Sequence, residues 1–115
     1  MTTADELRAR HCTPQTQALP EARVAALLAL LDGWQREGKA IVRTFSFPYY
    51  AATLGFVNRI APMIHEQDHH PELTVTYNRC TVRYWTHSVD GGQGGLSEND
   101  FICAARIDAL YREAL

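Results

Sequence analysis

Residues 60–87 read IAPMIHEQDHHPELTVTYNRCTVRYWTH, and the spacing of apolar residues changes inside this stretch. Leading into it, Tyr49, Ala52, Phe56, Ile60 and Ile64 lie three or four apart, the stripe of an amphipathic helix. Beyond it, Leu73, Val75 and Tyr77 alternate, Asn78 and Arg79 predict a turn, and Cys80, Val82 and Tyr84 alternate again, which together predict a hairpin. The change falls at His69, His70 and Pro71. Pro71 disfavours helical geometry at His70, and Pro62 predicts a kinked or loosened last turn, so both histidines are expected just past a helix end.

Working outward, Pro20 takes a first-turn position, and Val24, Leu27, Leu28 and Leu31 recur at helical spacing until Gly33. Trp34 to Glu37, the turn around Gly38, and Ala40 to Phe47 then read as another hairpin, with Ile41, Phe45 and Phe47 in one phase and Arg43 among them. After the glycines at 91, 92, 94 and 95, read as a flexible connector, Ser97 and Asp100 form the S-x-x-D pattern that opens helices. Cys103, Ala104, Ile107, Leu110, Tyr111 and Ala114 continue it at helical spacing. The order helix, hairpin, helix, hairpin, helix (α-β-β-α-β-β-α) predicts an α+β fold, a four-stranded antiparallel sheet with three helices packed on one face. Residues 1–19 read as a short helical turn or loose arm with little function, and residues 20–115 as a single domain.

The composition, 46% hydrophobic and 21% charged in 115 residues, is that of a globular domain. A formal charge of −2 supplies no field to attract nucleic acid or an anionic membrane, so neither is expected as a partner. The longest apolar run, Val24 to Leu31, is far short of the roughly 20 residues a membrane span needs, and no signal peptide precedes it, so the cytoplasm is the expected compartment. Cys12, Cys80 and Cys103 are widely spaced and read as reduced thiols, the last two as small core hydrophobes.

Four of the five histidines, His65, His69, His70 and His87, fall between residues 65 and 87. Imidazole gives and takes a proton near neutral pH, so such a cluster points to acid–base work or metal binding. His87 shares its strand phase with Arg83 and Trp85, opposite to Val82 and Tyr84, and is expected outside the core. His65 and His69 are four apart and could join His87 around a metal only if the helix continued, which the prolines oppose; no metal is expected. The glycine loop lacks the Lys and Ser/Thr of a phosphate loop. Asp100 suits the acidic position of a capping box.

From His65 to Asp100 the spacing resembles the active-site pattern of the pterin-4a-carbinolamine dehydratases: an acidic residue or His, three residues, His-His-Pro, an aromatic, a further His, then Asp. Here these are His65, His69-His70-Pro71, Tyr77, His87 and Asp100. Phe56-Val57-Asn58-Arg59, Trp85-Thr86-His87 and the run Gly95 to Asp100 extend the resemblance across nearly everything after the arm. His65 stands where animal members carry Glu, Leu73 where many carry Trp, and the loop from His87 to Gly95 is longer than in compact members.

The resemblance implies a lyase that dehydrates a 4a-hydroxytetrahydropterin to quinonoid dihydropterin and water in tetrahydrobiopterin recycling, with the pterin as substrate and no cofactor. It implies catalytic roles for His69, His70, His87 and Asp100, and substrate contacts from His65, His69, His70, Pro71, Tyr77, Thr86 and His87. On this reading His69 and His87 form the acid–base pair on opposite sides of the pterin, His70 binds the ring, and Asp100 orients His87. It further implies a homodimer or homotetramer and a functional link to an aromatic amino-acid hydroxylase. A non-catalytic dimerisation or coactivator protein on the same fold is the alternative.

Overall fold

The computed structural model describes residues 2–114, with the side chain of Ala114 left aside. Elements follow in the order α1 (Ala4–Ala9), α2 (Glu21–Leu28), β1 (Gln35–Glu37), β2 (Ala40–Ser46), α3 (Tyr50–Gln67), β3 (Glu72–Val75), β4 (Arg79–Tyr84) and α4 (Glu98–Ala114). The two hairpins join through their inner strands into one antiparallel sheet of order β1-β2-β4-β3. This is the expected α+β arrangement with one helix more, α1.

The register sorts the sheet into an apolar and a polar face. Ile41 pairs with Tyr84, Arg43 with Val82 and Phe45 with Cys80. Ile41, Phe45, Cys80, Val82 and Tyr84 are buried, and they join the apolar residues of α2, α3 and α4 in one core. Alternate positions turn the other way, where Thr44 and Thr81 sit directly opposite with their hydroxyls 2.9 Å apart. Period-two alternation thus leaves one face for the helices. Arg43 is the polar member of the inner face; its guanidinium donates to Asp108 of α4 at 2.8 Å, where Trp34 Nε1 also donates at 2.9 Å.

Helix α3 runs through Pro62 and ends at Gln67, because Asp68 adopts φ 50° and its N–H donates to the His65 carbonyl. This left-handed residue, with Pro71 beyond it, stops the helix where expected and puts His69 and His70 in the link to β3. The kink expected at Pro62 does not break the element. The second turn differs from expectation by one position: Val75 pairs with Cys80 and the Thr76 N–H donates to the Arg79 carbonyl, so Tyr77 and Asn78 make the turn. Tyr77 is therefore no strand residue. It is exposed and stacks on Tyr50 of α3 at 6.3 Å.

The N-terminal segment is not loose. Thr3 Oγ1 caps α1, and Leu7, completely buried, fixes that helix in the core cluster. The chain then crosses the start of α4, where Arg10 and Arg23 both donate to Glu98 and Thr13 exchanges two hydrogen bonds with the Asn99 side chain. Further on it ties down the glycine loop: Asp90 N–H donates to the Thr16 carbonyl, Ala18 N–H to the Asp90 carboxylate, and Leu19 N–H to the Leu96 carbonyl. With Val89 fully buried as well, the loop is a packed structure rather than a flexible connector. Among the described residues no helix is long and apolar enough to cross a membrane.

Candidate active site

Four local decisions converge on one imidazole. The end of α3 delivers His69, the last residue of β4 delivers Tyr84, the strand's continuation delivers Thr86, and the start of α4 delivers Ser97 and Asp100. Thr86 stays in place because its backbone pairs with Gly95, donating at 2.8 Å and accepting at 3.1 Å.

Asp100 is fully buried, and each of its oxygens has work. Oδ1 lies 2.6 Å from His69 Nε2, while Oδ2 accepts from the Thr86 hydroxyl and from the Ser97 N–H, each at 2.9 Å. The last of these is the capping-box contact expected from S-x-x-D. The Ser97 hydroxyl meets Thr86 Oγ1 at 2.7 Å instead of capping the helix. A buried carboxylate supplied with these donors is satisfied without a cation, and it requires a proton on His69 Nε2. Nδ1 is the nitrogen of His69 left for other chemistry.

Tyr84 completes the cradle. Its ring stacks on the His69 ring at 5.1 Å and 15°, and its hydroxyl donates to the His69 carbonyl at 3.1 Å. Burial, reinforced by Cys103, pushes the Tyr84 hydroxyl far above the usual phenol range, so it stays a donor. His69 is thus held at one edge, one face and its backbone, with 12% of its side chain exposed.

A cavity of about 430 Å³ opens onto His69. Its walls are residues 12–15 of the N-terminal segment and 66–69 at the end of α3, with Thr86, Ser88 and Asn99. The segment read as functionally idle therefore supplies one wall. The size is in the usual range for small-molecule sites, roughly 300–1,000 Å³.

The other expected site residues divide. His87 is exposed, as its strand phase predicts, and sits between the cavity residues Thr86 and Ser88. Trp85 Nε1 donates to its Nδ1 at 3.1 Å, so the neutral ring carries its proton on Nε2. Asp100 bonds His69, not His87; the expected pairing is corrected because the start of α4 faces the end of α3 at this point. His65 and His70 are exposed and lie outside the cavity wall, and Pro71 leads into β3. Tyr77 is at the far end of β3, roughly 15–20 Å of extended chain from Pro71, so this single chain does not bring it to His69. Among the described residues no group of three or more His, Cys, Asp or Glu side chains is arranged to hold a metal ion.

Tyr84, Ser97 and the cavity wall at residues 12–15 went unrecognised as site components in the sequence. Tyr84 did leave a signal, since a Tyr on the core phase of a strand needs a partner for its hydroxyl.

A two-layer α+β domain in which a buried aspartate holds a partly exposed histidine at the wall of a cavity is the class this chain represents. The sequence model of the family described as Pterin 4 alpha carbinolamine dehydratase matches residues 17–110. The chain belongs to that family. It is 51% identical to a Bdellovibrio bacteriovorus protein over 96% of this chain and 92% of that one, and 47% identical to a Nitrosospira multiformis protein over 96% and 97%. Both carry the name "Putative pterin-4-alpha-carbinolamine dehydratase". A solved structure from Brucella melitensis, titled a transcriptional coactivator/pterin dehydratase, superimposes with a TM-score of 0.74 at 34% identity, covering 82% of this chain and 98% of that one.

Proposed function

We propose that this chain dehydrates a 4a-hydroxytetrahydropterin to quinonoid dihydropterin and water, with the substrate held in the cavity beside His69. The observation that carries this reading is the 2.6 Å contact between buried Asp100 and His69 Nε2, at a cavity wall, in a member of this family.

The reaction needs a base for the N5 proton and an acid for the departing 4a-oxygen, because hydroxide leaves poorly. Asp100 keeps the proton of His69 on Nε2, which leaves the Nδ1 lone pair as the base. Exposed His87 exchanges protons with solvent. As imidazolium it gives up the Trp85 contact, since Nδ1 becomes a donor, and protonates the 4a-oxygen. As the C4a–O bond breaks, the N5–H electrons form the new double bond, His69 holds the N5 proton, and water departs. Both rings return to their starting states through solvent. No electron leaves the pterin ring system and no oxidant is consumed, so the chemistry calls for no redox cofactor.

His70, beside His69 at the start of the sheet, binds the pterin rim in this reading, while His65 and Tyr77 contribute only if substrate or a second copy of the chain reaches them. Strand β3 is a free edge of the sheet, which favours pairing with another copy. On this reading the chain acts after an aromatic amino-acid hydroxylase that consumes a tetrahydropterin. The coactivator title of the Brucella neighbour keeps a scaffold role as the second reading.

Purified protein added to freshly generated 4a-hydroxytetrahydropterin tests the reading by absorbance. Dehydration that rises in proportion to protein and falls at least tenfold in both His69→Ala and His87→Ala supports it. A folded wild type that leaves the spontaneous rate unchanged overturns it in favour of the scaffold.

A further inference from the structure

Two of the three free cysteines face each other across the fold. Cys12 belongs to the N-terminal segment and Cys103 to α4, yet their sulfurs are 3.5 Å apart. Cys103 is completely buried, whereas Cys12 is partly exposed and forms part of the cavity wall beside His69. A small solute entering the cavity therefore meets Cys12 first and has Cys103 directly behind it. Neither thiol takes part in the proton transfers proposed above.

We propose that Cys12 and Cys103 are an oxidant-responsive dithiol, converted to an intramolecular disulfide by hydrogen peroxide that enters the cavity. The Cys12 thiolate attacks one peroxide oxygen, the O–O bond breaks, and hydroxide leaves to take up the proton that Cys12 released. The resulting Cys12 sulfenic acid is attacked by the Cys103 sulfur. The S–O bond breaks, and the Cys103 proton departs with the hydroxyl as a second water. Two thiols are oxidised by two electrons and one peroxide is reduced to two waters.

The surroundings favour this division of labour. A hydrogen bond from Cys103 holds the Cys12 thiol below its usual range, against the effect of burial. The same contact and burial push Cys103 upward, so it waits as a protonated thiol. Closing 3.5 Å to the roughly 2.05 Å of an S–S bond requires the sulfurs to approach by about 1.5 Å. Cys12 lies outside any helix or strand whereas Cys103 sits within α4, so the approach falls to the Cys12 side chain, its backbone staying bonded to Gln67. The link would fasten the cavity wall to α4 one turn beyond Asp100, the residue that holds His69.

The thiol chemistry does not depend on the dehydratase reading, and its test uses no turnover. The full chain is exposed to a small excess of hydrogen peroxide, quenched with an alkylating agent, and analysed by intact mass and peptide mapping. Expected are loss of the mass of two hydrogen atoms, a Cys12–Cys103 cross-linked peptide, alkylatable Cys80 only, and full reversal by dithiothreitol. Cys12→Ser should abolish the response, and Cys103→Ala should stop it at a sulfenic acid that dimedone traps on Cys12. Should Cys103→Ala fail to fold, the wild-type map and Cys12→Ser decide the matter. Cys12 sulfinic acid with Cys103 still alkylatable, a cross-link between chains, or three intact thiols at a dose that oxidises free cysteine would each overturn the proposal.

Discussion

Asp100→Asn tests the tautomer of His69 without removing a side chain. An Asn side chain has one acceptor oxygen where Asp has two. The Ser97 N–H and the Thr86 hydroxyl both point at Oδ2, so the amide oxygen of the variant stays there and its NH2 group faces His69 Nε2. Two donors cannot share that contact. The imidazole must then present an unprotonated Nε2 and carry its proton on Nδ1, the nitrogen that the mechanism needs as a base. Loss of correctly placed acid–base catalysis costs about 10²–10⁴-fold, and that is the expected fall in kcat. Stability changes far less, because the acceptor at Oδ2 survives; exchanging one charge-assisted hydrogen bond for a neutral one costs about 1–2 kcal/mol. Rates come from stopped-flow dehydration, stability from urea unfolding, and the tautomer from the ¹⁵N shifts of the His69 ring. A variant with the switched tautomer and wild-type kcat would refute the reasoning, and so would an unchanged tautomer with a large loss of rate.

Three further outcomes follow from packing and charge. Tyr84→Phe keeps the ring stacked on His69 but leaves the His69 carbonyl without its donor, which should cost about 1 kcal/mol in urea unfolding, while Tyr84→Leu should also lower kcat by releasing the ring. Asp108→Ala strips the partner from Arg43 and from Trp34 Nε1 in the core, and about 3–5 kcal/mol of destabilisation is expected, enough to shift the thermal midpoint by well over ten degrees. Hydrogen bonds from Arg10 and Arg23 hold the Glu98 carboxyl below its usual range. A carboxylate depressed in the folded state stabilises above its unfolded value, near 4.3, and that contribution disappears as pH falls through the folded value. Thermal unfolding between pH 7 and pH 3 should therefore show a steeper acid loss in wild type than in Glu98→Gln; parallel curves would contradict the role given to this clamp.

The fold was legible because hydrophobic period reports it directly. Alternation at Ile41 and Phe45 and at Cys80, Val82 and Tyr84 marks the inner face of the sheet, and the three-and-four spacing from Phe56 to Ile64 marks α3. Turn register was harder. Tyr77 continues the alternation of Leu73 and Val75 on paper, but a two-residue turn at Tyr77 and Asn78 suits the pairing of Val75 with Cys80, so the ring leaves the sheet. The sequence singled out His69, Thr86 and Asp100, which the structure brings together, whereas the bond from Asp100 to His69 was not legible. Sequence spacing carries no information on which of two histidines a helix start will face, and 31 residues separate this pair. The N-terminal wall was misread for a similar reason. Its hydrogen bonds run to Gln67, Asn99 and Asp90, all distant in the chain, and a polar segment with few apolar residues gives no periodic sign of such contacts.

The central claim is that Asp100-held His69 works on a pterin in the cavity bounded by residues 12–15 and 66–69. A crystal structure with an unreactive dihydropterin tests it most directly. The account predicts the pterin ring in that cavity, with a ring nitrogen within hydrogen-bond reach of His69 Nδ1 and His87 brought over the 4a position. A pterin seated at Tyr77 or on the polar face of the sheet, out of contact with His69, would contradict it.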